Sequence, residues 1–197
     1  MLIGLSGKKN SGKDTVAELV KKHALTTGHE WEIKRFADPL KDMVCLLLGC
    51  TREQLEDREY KEALLGEPWD YWFEQDVGPF GKSTFYGSLT PREIMQKMGT
   101  EVGRSIHENA WVNALFNKYE DQWWIIPDTR FPNEAQAIKN RGGKLIRVNR
   151  VITSIVEDIH PSETSLDKYT DWDFVIDNNG TREELEEKVI EICKQLT

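Results

Sequence analysis

The opening stretch LIGLSGKKNSGKDT constrains the fold more than any other part of the chain. Leu2 to Ser6 is a short, mostly apolar run of the kind that forms a strand buried on both faces of a parallel sheet. It breaks into a loop that places Gly7, Gly12 and Lys13 in the register G-x-x-x-x-G-K. Val16, Leu19, Val20 and His23 then recur at helical spacing, and Gly28 is placed to close the helix. Strand, glycine loop and helix in that order bring successive backbone N–H groups and a helix N-terminus to one point, which is a phosphate-binding arrangement. Lys8, Asn10 and Ser11 complete the loop, and Lys13 adds a point charge for the outer phosphates. Asp14 departs from the pattern, because a hydroxyl that meets magnesium is expected there. It is either an acid favoured by the helix dipole or a carboxylate that holds magnesium directly or through water. Thr15, one residue on, offers a hydroxyl to the phosphates.

The same strand-and-helix alternation continues along the chain. WEIKRF alternates like a strand, and Asp38 before Pro39 starts a helix with Leu40, Met43, Val44 and Leu47 on one stripe. WWIIPD, KLIRVN and DFVID read as further strands, with helical patterns after the first and last of them. Capping boxes at Thr51/Gln54, Thr90/Glu93 and Thr181/Glu184 mark three helix starts. Five strands alternating with helices predict an α/β fold, a doubly wound parallel sheet flanked by helices with ligands at the carboxyl ends of its strands. Residues 51–89 fit this scheme least. TREQLEDREYKEALL reads as a charged helix, whereas GEPWDYWFEQDVGPFGKSTFYGS has no period, so the segment is expected to be a helical and irregular insertion over the active site. With 197 residues and no linker-like stretch, a single domain spanning 1–197 is expected.

Composition removes several classes of function. No apolar stretch approaches the roughly 20 residues of a membrane span, and Lys8 and Lys9 follow the first apolar run instead of preceding it as in a signal peptide. A cytoplasmic protein without membrane contact is expected. The formal net charge of -8 disfavours direct nucleic-acid binding, so a phosphorylated ligand must be met by a local cationic cluster. Cys45, Cys50 and Cys193 form no C-x-x-C pair and read as reduced thiols, not as a zinc site or disulfide framework.

Outside the loop, Asp128 ends the strand WWIIP, where an acid can orient magnesium, and Arg130 follows two residues later. An arginine fork near a transferring phosphoryl group neutralises charge that develops in the transition state, although a surface ion pair would also explain a lone D-x-R. FADPLK and TPREIMQKMGTEVGRSIHENAW supply Asp38, Lys41, Arg92, Gln96 and Arg104 as candidates for a second, phosphorylated substrate. Trp111 can stack on a base or serve as core. Arg147, Arg150 and His160 flank VITSIVEDIHPSETS, which reads either as a surface loop or as a lid over the phosphates. NKYED nearly spells a guanine-recognising motif, but Glu120 stands in the acid position and its context is helical.

LSGKKNSGKDT, FADPLK, REIMQKMGTE, IIPDTR followed by EAQAIKNRGGKLIRV, and VIDNNGTREEL together resemble the deoxynucleoside monophosphate kinases of tailed bacteriophages. The resemblance runs in order over most of the chain and fails chiefly in 51–89. It implies the P-loop kinase fold, with a short lid at about 150–172. It also implies transfer of the γ-phosphoryl group of ATP to deoxynucleoside 5'-monophosphates with Mg2+, supplying DNA precursors in a host cytoplasm, and it suggests a homodimer. The family's loop also reads G-K-D-T, so Asp14 matches it. Carried over, Gly7 to Thr15 bind ATP phosphates, and Lys13 and Arg130 stabilise the transferred group. Asp14 and Asp128 become candidate magnesium ligands, and Arg147 joins the ATP side. Asn178 and Gly180 resemble the loop near the adenine, and Asp38, Lys41, Arg92, Gln96, Arg104 and Trp111 lie in stretches that line the monophosphate side. Phosphomevalonate kinases and dephospho-coenzyme A kinases also look similar around the loop, and a nucleotide-dependent switch or ATPase is a rival of another class.

Overall fold

In a computed structural model that describes residues 1–26, 28–117, 119–151 and 161–196, with Phe80 described by its backbone alone, the predicted strands are present. The strands are β1 (Leu2–Ser6), β2 (Glu32–Ile33), β3 (Asp70–Asp76), β4 (Lys82–Ser88), β5 (Trp124–Ile126), β6 (Lys144–Asn149) and β7 (Phe174–Asp177). The helices are α1 (Lys13–Thr26), α2 (Asp38–Leu48), α3 (Arg52–Glu56), α4 (Arg58–Glu62), α5 (Pro91–Gln96), α6 (Gly103–Ile106), α7 (Ala110–Phe116), α8 (Pro132–Lys139), α9 (Pro161–Thr164) and α10 (Arg182–Leu196). They fall into two compact units: residues 1–38 with 108–197, and residues 39–107.

The first unit holds a five-stranded sheet in the order β2-β5-β1-β6-β7, parallel throughout. β1 is central and buried at every position, which explains its unbroken apolar run. Its residues alternate between faces with the period of a strand. Ile3 and Leu5 join Val16, Val20, Ile125 and Val189 in one buried cluster, while Leu2 joins Phe36, Ile126, Ile138 and Leu145 in another. Burying each such side chain contributes about 1.5–3 kcal/mol, so a core on both sides of β1 holds the loop that follows it in place.

The last strand is fixed by charge as well as by packing. Asp173, just before β7, accepts the Leu145 N–H at 2.8 Å and pairs with Lys139 at 2.8 Å and Lys144 at 3.1 Å. Burial alone would raise its pKa, but these hydrogen bonds and charges outweigh it and hold the carboxyl below its ordinary value.

The second unit has its own small core of Val44, Leu55 and Ile94. The charged segment read as one helix is two, because Asp57 is extended: it ends α3 and then accepts the Tyr60 N–H as the N-cap of α4. Residues 70–88, without legible period in the sequence, form an antiparallel hairpin in which Phe73 faces Phe85 and Trp72 faces Tyr86. The Thr90/Glu93 capping box starts α5 as expected, and a π-helical turn, Lys97–Val102, links it to α6. Within the described residues no disulfide links the cysteines, and no helix is long and apolar enough to cross a membrane.

Because a depressed folded pKa stabilises the fold above the unfolded value and is lost as pH falls through it, Asp173→Asn should destabilise the protein near neutral pH. The difference from wild type should begin to shrink as pH falls below about 4, where the unfolded carboxyl takes up its proton, and should be lost once pH has passed below the lowered folded value as well. Urea unfolding of both proteins at neutral and acid pH checks this.

Candidate active site

The loop after β1 is shaped by close approaches that only glycine allows. At Gly7 a Cβ would run into the Val148 carbonyl oxygen and the Ser11 side chain. Gly12 has φ +98°, and a Cβ there would meet the Asn178 side-chain amide. That amide, buried just beyond the end of β7, donates to the Ser11 carbonyl at 2.8 Å, and its backbone N–H donates to the Asn149 carbonyl at 2.7 Å. Asn178 therefore ties the carboxyl ends of β6 and β7 to the loop. Ser11 is 1% exposed, and its hydroxyl has no partner among the described residues.

Lys13 folds back over the loop and donates to the Gly7 and Lys8 carbonyls, each at 2.8 Å. Burial, with Arg130 and Arg147 nearby, lowers its pKa to about 8, against which Glu163 and Asp14 act only in part. A buried ammonium with two guanidinium groups nearby is a place where an anion would be favoured. Arg147, on β6, reaches the Ser6 hydroxyl at 3.3 Å, lies over the Trp172 ring at 5.5 Å and stands 3.8 Å from Asp167. Burial pulls its pKa down, partly offset by Asp167. Lys8 pairs with Asp167 at 2.6 Å and donates to the Glu163 carbonyl at 2.8 Å. Beside this cluster a cavity of about 210 Å³ is lined by Lys8, Arg147, Asn149, Arg150, Asp177 and Asn179, among others, beyond β6 and β7.

Asp128 and Arg130 lie beyond β5. Both carboxylate oxygens of Asp128 accept backbone N–H groups, from Phe36 at 3.0 Å and Ala37 at 2.9 Å, and so lock the turn that follows β2. Arg35, within that turn, extends to Asp14 at 3.0 Å. Burial opposes its charge, but the Asp14 hydrogen bond and the nearby Asp128 and Asp38 carboxylates hold its pKa above the ordinary value. Asp14 itself has a side chain 76% exposed. The Arg130 backbone N–H donates to buried Glu134 at 2.8 Å, and its guanidinium pairs with Glu163 of α9. Among the described residues, no group of three or more His, Cys, Asp or Glu side chains could by itself hold a metal ion.

Comparison with known sequences decides what this arrangement belongs to. Residues 83–189 match the family of deoxynucleotide monophosphate kinases. A chain of Acanthamoeba polyphaga mimivirus assigned as a deoxynucleotide monophosphate kinase is 34% identical, over 96% of this chain and 94% of its own. The chain belongs to the deoxynucleotide monophosphate kinase family. The deoxynucleoside-5'-monophosphate kinase of Escherichia phage T5 is 26% identical, over 84% of this chain and 85% of its own. The deoxynucleotide monophosphate kinase of Enterobacteria phage T4 is 26% identical, over 99% of both chains.

Of the residues singled out in the sequence, Gly7 to Thr15, Asp128, Arg130, Arg147 and Asn178 all lie at the carboxyl ends of the sheet strands, within the first unit. Gly180, exposed, lies two residues beyond Asn178. Asp38 accepts the Arg35 N–H at 3.0 Å, and Trp111 packs against the cluster around Phe36 and Phe116. In the second unit Lys41 pairs with Glu56 at 2.5 Å and Arg92 with Glu62 at 2.8 Å, while Gln96 ends α5 and Arg104 lies on α6. Of the lid expected at about 150–172, residues 152–160, His160 among them, fall outside the described residues.

Arg35, Glu134 and Glu163 were not anticipated in this kinase. Arg35 directly precedes FADPLK, and Glu134 stands four residues after Arg130, so proximity to a motif was the available signal. Glu163 has no such neighbour in sequence. Asn178→Ala should weaken nucleotide binding and cost about 1–3 kcal/mol of stability, since it strands the buried Ser11 carbonyl. Calorimetric titration with ATP and urea unfolding would read the two effects, and an unchanged ATP affinity would remove Asn178 from the loop's support.

Proposed function

We propose that this kinase moves the γ-phosphoryl group of ATP onto a deoxynucleoside 5'-monophosphate, giving ADP and a deoxynucleoside diphosphate. An oxygen of the acceptor phosphate attacks the γ-phosphorus in line, and the bond from that phosphorus to the β,γ-bridging oxygen breaks. The acceptor oxygen is already anionic, so the step needs no general base and rests on positioning and charge neutralisation. The observation that carries the reading is the loop itself, where the Lys13 ammonium lies buried against the Gly7 and Lys8 carbonyls at a helix N-terminus, with Arg130 and Arg147 nearby.

In this reading the loop N–H groups and Lys13 hold the β- and γ-phosphates of ATP, and Arg130 meets the charge that develops on the transferring group. Ser11, Thr15 and Arg147 belong to the same phosphate side, and the cavity beyond β6 and β7 takes the nucleoside, near Asn178 and Gly180. On the first unit the acceptor is assigned to Asp38, with Trp111 against its base. Magnesium fits the donor set, because it keeps several waters and needs only one or two carboxylates besides phosphate oxygens. Asp14, which is exposed, and Asp128 are the carboxylates that would hold it, directly or through water, and bound magnesium would neutralise phosphate charge.

Lys13→Ala and Arg130→Ala should each lower kcat by about 10²- to 10³-fold while leaving the far-UV circular dichroism unchanged. Wild-type protein should form ADP from ATP only when a deoxynucleoside monophosphate is supplied. A rate seen with phosphomevalonate or dephospho-coenzyme A and with none of the four deoxynucleotides would replace the assigned acceptor, and ADP formed without any acceptor would point to an ATPase.

A further inference from the structure

We infer that Glu163 is a positioning residue, which holds the Arg130 guanidinium in the orientation that phosphoryl transfer uses. Its side chain is only 9% exposed, unusual for a glutamate on a four-residue helix. One carboxylate oxygen pairs with Arg130 Nη1, and the other accepts the Lys9 N–H of the phosphate loop at 3.1 Å. The same residue's carbonyl oxygen accepts the Lys8 ammonium at 2.8 Å. Glu163 thus joins α9, the loop and the arginine at one point.

The way Arg130 is held matters. Ser162 stands 3.5 Å from Nη1 through both its carbonyl and its hydroxyl, so the contacts to α9 all fall on one guanidinium nitrogen. Among the described residues nothing engages Nε or Nη2, and the side chain remains 40% exposed. At its other end the Arg130 backbone is fixed by Glu134, itself 3% exposed. A guanidinium anchored at one nitrogen still has a fork edge to present to a phosphoryl group. Anchoring it in advance removes from the reaction the cost of freezing a side chain that otherwise carries about 2 kcal/mol of rotamer entropy. The carboxylate also lets Arg130 lie near Lys13 before any phosphate arrives.

This inference rests on the role given to Arg130 above, and a double-mutant cycle separates the two. Glu163→Gln keeps an acceptor for the Lys9 N–H but removes the negative charge that faces the Arg130 guanidinium. It should lower kcat by about 10- to 100-fold, the range typical of residues that orient a reacting group through another, with the KM for ATP little changed. Glu163→Asp should recover part of the loss. In an Arg130→Ala background Glu163→Gln should change kcat by no more than about twofold, because there is no guanidinium left to position. A full and additive loss in that background would overturn the positioning role while leaving Arg130 as assigned. Tighter ATP binding by Glu163→Gln with undiminished kcat would overturn it too, since the carboxylate would then be a competitor of phosphate. Only a silent Arg130→Ala would bring down the reading of Arg130, and the positioning role with it.

Discussion

The ammonium of Lys13 is the constraint around which the loop after β1 is arranged. It lies against two loop carbonyls, and burial first, with Arg130 and Arg147 nearby, pulls its pKa down against the opposing pull of Glu163 and Asp14. Holding such a group requires a loop that cannot collapse, and the surroundings provide one. β1 is clamped between two apolar clusters, Gly7 and Gly12 admit close neighbours, and the Asn178 amide fastens the loop from the far strand.

Acids are distributed around this centre with separate tasks. Asp128 gives both oxygens to backbone N–H groups and so places the turn that carries Arg35, which in turn reaches Asp14. Glu134 fixes the backbone of Arg130 and Glu163 its guanidinium. A carboxylate that accepts two amide hydrogens has lone pairs to spare, so the structural duty of Asp128 and a place near magnesium are compatible. In this description Asp14 is the exposed carboxylate of the loop, with an arginine as its present neighbour.

Much of this was legible in the sequence because its signals are local. The run from Leu2 to Thr15 spells strand, loop and helix in consecutive residues, and the Thr51, Thr90 and Thr181 capping boxes sit where helices begin. The hairpin at 70–88 was not legible, since aromatic residues face both sides and Gly78, Pro79 and Gly81 interrupt the alternation. The split of α3 from α4 turns on one extended residue, Asp57, inside an otherwise helical pattern. Glu163 escaped for a different reason: its partners Lys9 and Arg130 lie 154 and 33 residues away, and no spacing rule spans such distances.

The destination of the γ-phosphoryl group tests the central claim most directly. With ATP labelled at the γ-phosphorus and a deoxynucleoside monophosphate as acceptor, the account predicts label in the deoxynucleoside diphosphate in one-to-one ratio with ADP. Label released instead as inorganic phosphate, at the same rate with and without the acceptor, would contradict it.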